Sequence, residues 1–413
     1  MKLWFYFVHQ KIRNMKPVTS QEIQQWRDAT AGTMEKIHFN NAGASLPPDM
    51  VTDTCIAYLR EEARCGGYEM ADKYKEQLNH VYTLVARLIN ARPDEVALTE
   101  NASMAWGLAF NGIAFEAGDE VITSELEYVT NVLSFLQAQQ TRGVIIRVIP
   151  HDEQGCFSLP ALEEAISPRT KCIAITHIAS TTGVVNPVAA IGKIARKHNI
   201  LYLVDACQSV GHAPVDVEAM HCDILTVTGR KYLRAPRGTG FLYVRKERQA
   251  ALKLFLMDGF TVEWVSEQDY RIRSDARRFE LYEKNKALIL GLGKAVEYAL
   301  QIGVDRIWER IGHLAGLLRQ RLAAIDGITV HDHGEALCGI VTFSVDGIDS
   351  VRVKSMLSEK NINVSVGKAV STLYYMNRRQ LTSIVRASVH YYNTEEEIAV
   401  LCGVLKEMVL AYA

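Results

Sequence analysis

From residue 50 to about residue 245, short apolar runs alternate with longer amphipathic stretches, and no other feature of the chain restricts its fold as much. Parallel strands need crossovers of a dozen or more residues, and helices supply them. The strand candidates are Val96–Thr99, Glu120–Thr123, Val144–Ile149, Cys172–Thr176, Leu201–Val204, Ile224–Thr228 and Gly240–Val244. Helices at Met104–Ala114, Asn131–Thr141, Leu159–Ile166 and Val188–His198 separate most of them. Two more precede them, Asp49–Arg64 after Leu46-Pro47-Pro48 and Tyr74–Ile89. Several strands are unbroken apolar runs, as expected where helices cover both faces of a sheet. The predicted class is α/β, a mainly parallel sheet covered by helices, with ligands at the carboxyl ends of the strands.

After about residue 285 the character changes. A long helical stretch from Lys286 to Leu322 leads into strand candidates Ile328–Val330, Ile340–Val345, Ile362–Val364 and Ile384–Val389, with helices at Val351–Glu359 and Glu395–Leu410. The expected organisation is an N-terminal extension and helix over residues 1–36, a large domain over 37–285 and a smaller C-terminal α/β domain over 286–413. Some N-terminal residues are expected to pack with the last. A length of 413 residues suits two domains.

A formal net charge of −1, with basic residues scattered, gives no electrostatic ground for nucleic acid or an anionic membrane as partner. The eight cysteines form no CxxC pair and read as reduced, mostly buried thiols. The apolar run at residues 3–8 is too short for a membrane span and lacks a small-residue cleavage site. It reads as a peripheral extension, or as residues upstream of a start at Met15. A cytoplasmic location is expected.

The chemistry gathers around two segments, Val204-Asp205-Ala206-Cys207-Gln208 and Thr228-Gly229-Arg230-Lys231. A carboxylate at the end of an apolar strand is costly unless it meets a cation, and a protonated pyridine nitrogen is such a cation. A lysine amine nearby can bind an aldehyde covalently. Together they are what pyridoxal 5'-phosphate requires. Gln208 can hydrogen-bond the ring oxygen. Phosphate donors are at hand in Thr99-Glu100-Asn101-Ala102-Ser103, which lies between a strand and a helix start, and in Thr228 and Arg230. Taken singly, each has a blander reading: Asp205 as a helix cap, Asn101-Ala102-Ser103 as capping sequence, Lys231 as a surface lysine.

These segments, with Pro214-Val215-Asp216-Val217 and Pro236-Arg237-Gly238-Thr239-Gly240, resemble the class V aminotransferase family of fold-type I pyridoxal phosphate enzymes. That family includes cysteine desulfurases, isopenicillin N epimerases and C–S lyases. The resemblance runs from about Phe39 to the end, through Asn40-Asn41-Ala42-Gly43, residues 177–187, Arg386-Ala387-Ser388 and Tyr391-Tyr392-Asn393-Thr394. It implies that Lys231 is the catalytic Schiff-base lysine, Asp205 the partner of the ring nitrogen and Gln208 the contact to the ring oxygen. Ala102, Ser103, Thr228 and Arg230 would bind phosphate, with Arg230 where the family often has histidine. Tyr128 falls where the family stacks a histidine on the ring, and a tyrosine can stack too. Arg386 matches the arginine that clamps the substrate carboxylate, and Asn41 belongs to the substrate-binding set. The resemblance also implies a homodimer with the site at the subunit interface. The threonine that the partner subunit usually gives to the phosphate is missing, since the chain continues Leu281-Tyr282-Glu283 after Arg277-Arg278-Phe279-Glu280. Tyr282 is the residue available in its place.

The departures narrow the reaction. Cysteine desulfurases carry a mobile-loop cysteine upstream of the arginine matching Arg386, whereas Gly339 to Ser388 contains none and the corresponding loop reads Asn363-Val364-Ser365-Val366-Gly367-Lys368-Ala369. Cys65-Gly66-Gly67-Tyr68 is similar to a stretch of the ergothioneine-pathway C–S lyases. The leading expectation is a lyase that eliminates sulfur from an S-substituted cysteine, releasing pyruvate and ammonia. An amino-acid epimerase or aminotransferase, or a desulfurase-like protein without the usual loop cysteine, comes next. A degenerate fold used for binding is the alternative of another class. No metal site is expected, the pair His331-Asp332-His333 reading as a polar turn.

Overall fold

The computed structural model describes residues 17–152 and 155–412, so the apolar run at residues 3–8 and Met15 lie outside the described residues. The seven apolar runs pair into one sheet. In chain order its strands are β1 (Val96–Thr99), β2 (Glu120–Ser124), β3 (Ile145–Ile149), β4 (Thr170–Thr176), β5 (Leu201–Asp205), β6 (Ile224–Thr228) and β7 (Gly240–Val244). In space they follow the order β1-β7-β6-β5-β4-β2-β3. The run β6-β5-β4-β2-β3 is parallel throughout, while β7 is antiparallel to both its neighbours. Every residue of β6 and β7 is buried, as is the edge strand β1, while β3, at the opposite edge, alternates exposed and partly covered residues before the buried Ile149.

The stretch predicted as one helix from Lys286 to Leu322 is two, Lys286–Ile302 and Val304–Ala323, bent by 77°. Gly303 lies between them at φ 91°, a conformation that only glycine adopts without steric cost. The first helix packs on the helices Asp49–Cys65 and Lys75–Ile89, and the second on the smaller sheet. No single helix among the described residues is long and apolar enough to cross a membrane.

The smaller sheet contains β8 (Ile328–Val330), β9 (Ile340–Val345), β10 (Ser365–Lys368) and β11 (Ser383–Ser388), antiparallel in the order β8-β9-β11-β10. Strand β10 lies in the segment read from sequence as a loop. Its residues Ser-Val-Gly-Lys have little strand character of their own, and pairing with β11 overrides that. A short helix, Leu373–Arg378, follows it. Ile37–His38 pairs in parallel with Ile362–Asn363, tying the N-terminal segment to this layer. One apolar cluster runs through both layers, from Ile175 and Val204 to Ile311, Leu314, Phe343 and Val385. Residues 253–278 contain a hairpin of Val262–Ser266 and Asp269–Ile272.

Candidate active site

Because β4, β5 and β6 are parallel neighbours, their last residues reach the same sheet edge: Thr176 pairs with Asp205, and Asp205 with Thr226. Thr228 ends β6, and the turn Gly229-Arg230-Lys231 follows directly. The start of β7 closes on this turn, with Gly229 N donating to Thr239 O at 2.9 Å. A Cβ at Gly240 would lie 2.5 Å from Val227 O and 3.1 Å from the Asn101 carbonyl carbon, so the strand passes this close to the next helix only as glycine. That helix is Ala102–Gly112, capped by Asn101 Oδ1, which accepts from Met104 N at 2.9 Å. The cap leaves the amides of Ala102 and Ser103 without intrahelical acceptors, the arrangement that favours an anion. Ser103 is exposed and Thr228 buried. The Arg230 guanidinium donates to Gly43 O, and its own carbonyl accepts from Ser45 N at 3.0 Å.

Lys231 is 9% exposed, and none of the described side chains accepts a hydrogen bond from its Nζ. Its amine lies 5.8 Å from the centroid of the Tyr128 ring. Burial lowers its pKa, the Cys207 thiol and the Asp205 carboxylate oppose the shift, and Arg230 and Arg386 add to it. A lowered pKa enlarges the neutral, nucleophilic fraction of the amine. Asp205, 6% exposed, uses one oxygen to cap its own turn, Oδ1 accepting from Cys207 N at 2.9 Å. Its Oδ2 accepts from Asn131 Nδ2 at 3.0 Å. Gln208 Nε2 donates to Ala42 O at 3.1 Å, and its Oε1 is buried without a partner. Below it, His212 donates from Nδ1 to Gln208 O and accepts from Gly339 N on Nε2, both at 3.0 Å. Tyr232 stacks on the His212 ring at 3.8 Å. Burial pushes His212 down to about 3, so it stays neutral.

Arg386 comes from β11 of the other sheet. Its Nε donates to Ser365 Oγ at 2.9 Å and its Nη1 to Ser180 O at 2.8 Å. The other Nη group donates to none of the described residues, which leaves one edge of the fork for a ligand. Asn41 is fully buried, and its amide is committed within the chain: Nδ2 donates to Ser388 O at 2.7 Å and to His38 O at 3.2 Å, while Oδ1 accepts from the Tyr392 hydroxyl. It joins the N-terminal segment to the end of β11. Tyr282 is exposed, its backbone N–H held by Asp258 at 2.7 Å.

The sequence reading passed over Glu127, which is 1% exposed. It accepts from Tyr128 N (3.1 Å), Asn131 Nδ2 (2.6 Å), Thr123 Oγ1 (3.2 Å), Thr176 N (3.0 Å) and the Thr176 hydroxyl. Burial first, and Asp205 second, push its carboxyl up to about 7. The available signal was an acid directly before Tyr128, four residues from Asn131. It resembles a solvated helix start, and only the sheet contacts reveal the burial.

Pyridoxal phosphate fits these residues. Arg230 and Arg386 both act on the Lys231 amine, and Asp205 is the carboxylate that opposes them there, so the region suits added anionic charge. The free helix-start amides suit a phosphate, the buried Asp205 suits a ring cation, and the unpartnered Gln208 amide oxygen leaves that side chain polar capacity to spare. Among the described residues no three His, Cys, Asp or Glu side chains gather as metal ligands.

The profile of the family described as Aminotransferase class-V matches residues 37–401. A probable cysteine desulfurase of Methanothermobacter thermautotrophicus is 33% identical over 380 residues, covering 91% of this chain and 95% of that protein. The apo structure of a cysteine desulfurase from Thermococcus onnurineus superposes with a TM-score of 0.89 at 28% identity, over 94% of this chain and 98% of that one. The cystine C–S lyase C-DES, solved with its product cysteine persulfide, shares the fold at a TM-score of 0.82 and 20% identity, over 92% and 99% of the two chains.

Proposed function

The chain belongs to the aminotransferase class-V family, and from that membership we propose that this pyridoxal phosphate enzyme is a C–S lyase that eliminates sulfur from an S-substituted cysteine. The observation that carries the reading is the composition of the segment before Arg386. Residues 339–388 hold no cysteine, and the part that would carry one is built into β10 and the helix Leu373–Arg378. Two thiols on elements beside the site are buried and hard to ionise. Cys338 is pushed up to about 12, and Cys207 well above its ordinary value. Neither of these two thiols is poised to receive expelled sulfur, which supports release over transfer. The name that two relatives share, probable cysteine desulfurase, supports a substrate of the cysteine type.

The roles of the chain's residues follow from their places. Arg386 would take the substrate carboxylate on its free edge, in a bidentate pairing. Ala102, Ser103, Thr228 and Arg230 would hold the cofactor phosphate, Asp205 the ring nitrogen and Gln208 the ring oxygen, with Tyr128 against the ring face. When bound, the cofactor supplies an electron sink for the substrate's Cα. Lys231 Nζ takes the Cα proton. The electrons of the Cα–H bond form a Cα–Cβ double bond, and the Cβ–S pair leaves with sulfur, which is protonated to a thiol. Water then converts the released aminoacrylate to pyruvate and ammonia. We also take the working form to be a homodimer, supported by the exposed Trp264 and Tyr270 of the Val262–Ile272 hairpin.

The test is to incubate the holoenzyme with a panel of S-substituted cysteines and with free cysteine. Keto acid and thiol in equal amounts are expected. Alanine with enzyme-bound persulfide would replace this reading by desulfuration. Cα-deuterium exchange without keto acid would replace it by epimerisation.

A further inference from the structure

Asp205 and Tyr128, expected to meet the cofactor from two directions, are linked by two buried side chains, Glu127 and Asn131, that touch no expected ligand. Asn131 Nδ2 has two hydrogens and donates one to Glu127 Oε1 at 2.6 Å and the other to Asp205 Oδ2 at 3.0 Å. The amide therefore fixes the distance between the two carboxylates. Asp205 Oδ2 gains a second constraint beyond its own turn, so its carboxylate plane is set from both ends. On its other side Glu127 accepts the backbone N–H of Tyr128, the residue that starts the helix Val129–Arg142. The remaining contacts of Glu127, to Thr123 on β2 and Thr176 on β4, anchor it to two strands. A buried carboxylate with five hydrogen bonds is costly to dislodge.

We propose that Glu127 is a positioning residue of the cofactor site, which through Asn131 orients Asp205 toward the ring nitrogen and through the Tyr128 backbone sets the start of the helix that presents Tyr128. The role concerns cofactor binding and holds whichever C–S reaction the enzyme runs. Replacing the carboxylate by an amide of the same shape keeps the oxygen that accepts from Asn131 and Tyr128 and loses the acceptor for Thr176 N. Removing the side chain frees Asn131, and Asp205 turns.

The test uses holoenzyme without substrate and reads cofactor retention by equilibrium dialysis together with the visible circular dichroism of the bound cofactor. Glu127→Ala and Asn131→Ala should each weaken retention by about tenfold or more and diminish the dichroism, while Glu127→Gln stays within about threefold of the parent. In an Asp205→Asn background, Glu127→Ala should add little, because the residue it acts through is already altered. The proposal is overturned if Glu127→Ala retains cofactor and dichroism as the parent does, if Glu127→Gln is as damaging as Glu127→Ala, or if the Glu127 and Asp205 effects add in full. Should Glu127→Ala fail to fold, the Asn131→Ala and Glu127→Gln results decide. No keto acid enters these readouts, so a failure of the lyase reading leaves them standing.

Discussion

Lys231 has a buried amine with a lowered pKa and no acceptor among the described side chains. Lys231→Ala should therefore reduce turnover by about 10³-fold or more and abolish the absorbance band that arises when cofactor joins the amine. A spectrum identical to the parent's would remove Lys231 from its role. Asp205 stood out in the sequence as a lone carboxylate at the end of an apolar strand, where polarity needs a reason, and Lys231 only through its place in Thr228-Gly229-Arg230-Lys231 after that acid. Glu127 did not stand out, since acids at helix starts are commonplace and only the third dimension shows that strands β2 and β4 bury this one. The resemblance puts Asn41 in the substrate-binding set, and within the chain its amide bonds to Ser388, His38 and Tyr392.

Among the elements, the last helix, Glu395–Tyr412, shows how one charge pair seats a segment. Arg310 donates to both oxygens of Glu395 and to Asn393 O, and these bonds hold Glu395 down to about 2. A carboxylate whose folded pKa is depressed stabilises the fold above its unfolded pKa of about 4.5, and the contribution disappears as pH falls through about 2. Glu395→Gln should thus lower stability at pH 7 by ~1 kcal/mol after solvent screening, with the difference vanishing near pH 2. Denaturant melts at both pH values check this, and a deficit independent of pH would contradict it. Strand β10 and the break at Gly303 escaped the sequence for related reasons. Helical periodicity runs through Gly303, and only the φ of 91° stops it, while β10 exists because β11 offers it an edge. The seven strands of the large sheet were readable because burial on both faces leaves continuous apolar runs.

At the scale of the molecule, the two sheets are joined by Asp332, whose side chain is fully buried. It accepts from Arg319 Nε at 2.9 Å, from the hydroxyl and N–H of Thr342 on β9, and from Gly183 N in the loop after β4. Arg319→Met would leave this carboxylate without its cation. A loss of about 3–5 kcal/mol in the global unfolding free energy is expected, read as a lower melting midpoint. An unchanged midpoint would show that the amide and hydroxyl donors suffice.

The stack of Tyr232 on His212, capped by the Gly339 amide, lies between the sheet that carries Lys231 and the sheet that carries Arg386. Its filling acts as a spacer gauge. A methyl added at Gly339 would come within 2.4 Å of Ile311 Cγ2 and 2.9 Å of His212 Nε2, and one way to make room is for the layers to part. With Arg386 in its proposed role at the substrate carboxylate, Gly339→Ala should raise KM for amino-acid substrates while leaving cofactor retention nearly intact, and an unchanged KM in steady-state kinetics would contradict this. The length of substrate that the enzyme accepts is then written into core packing that no substrate touches.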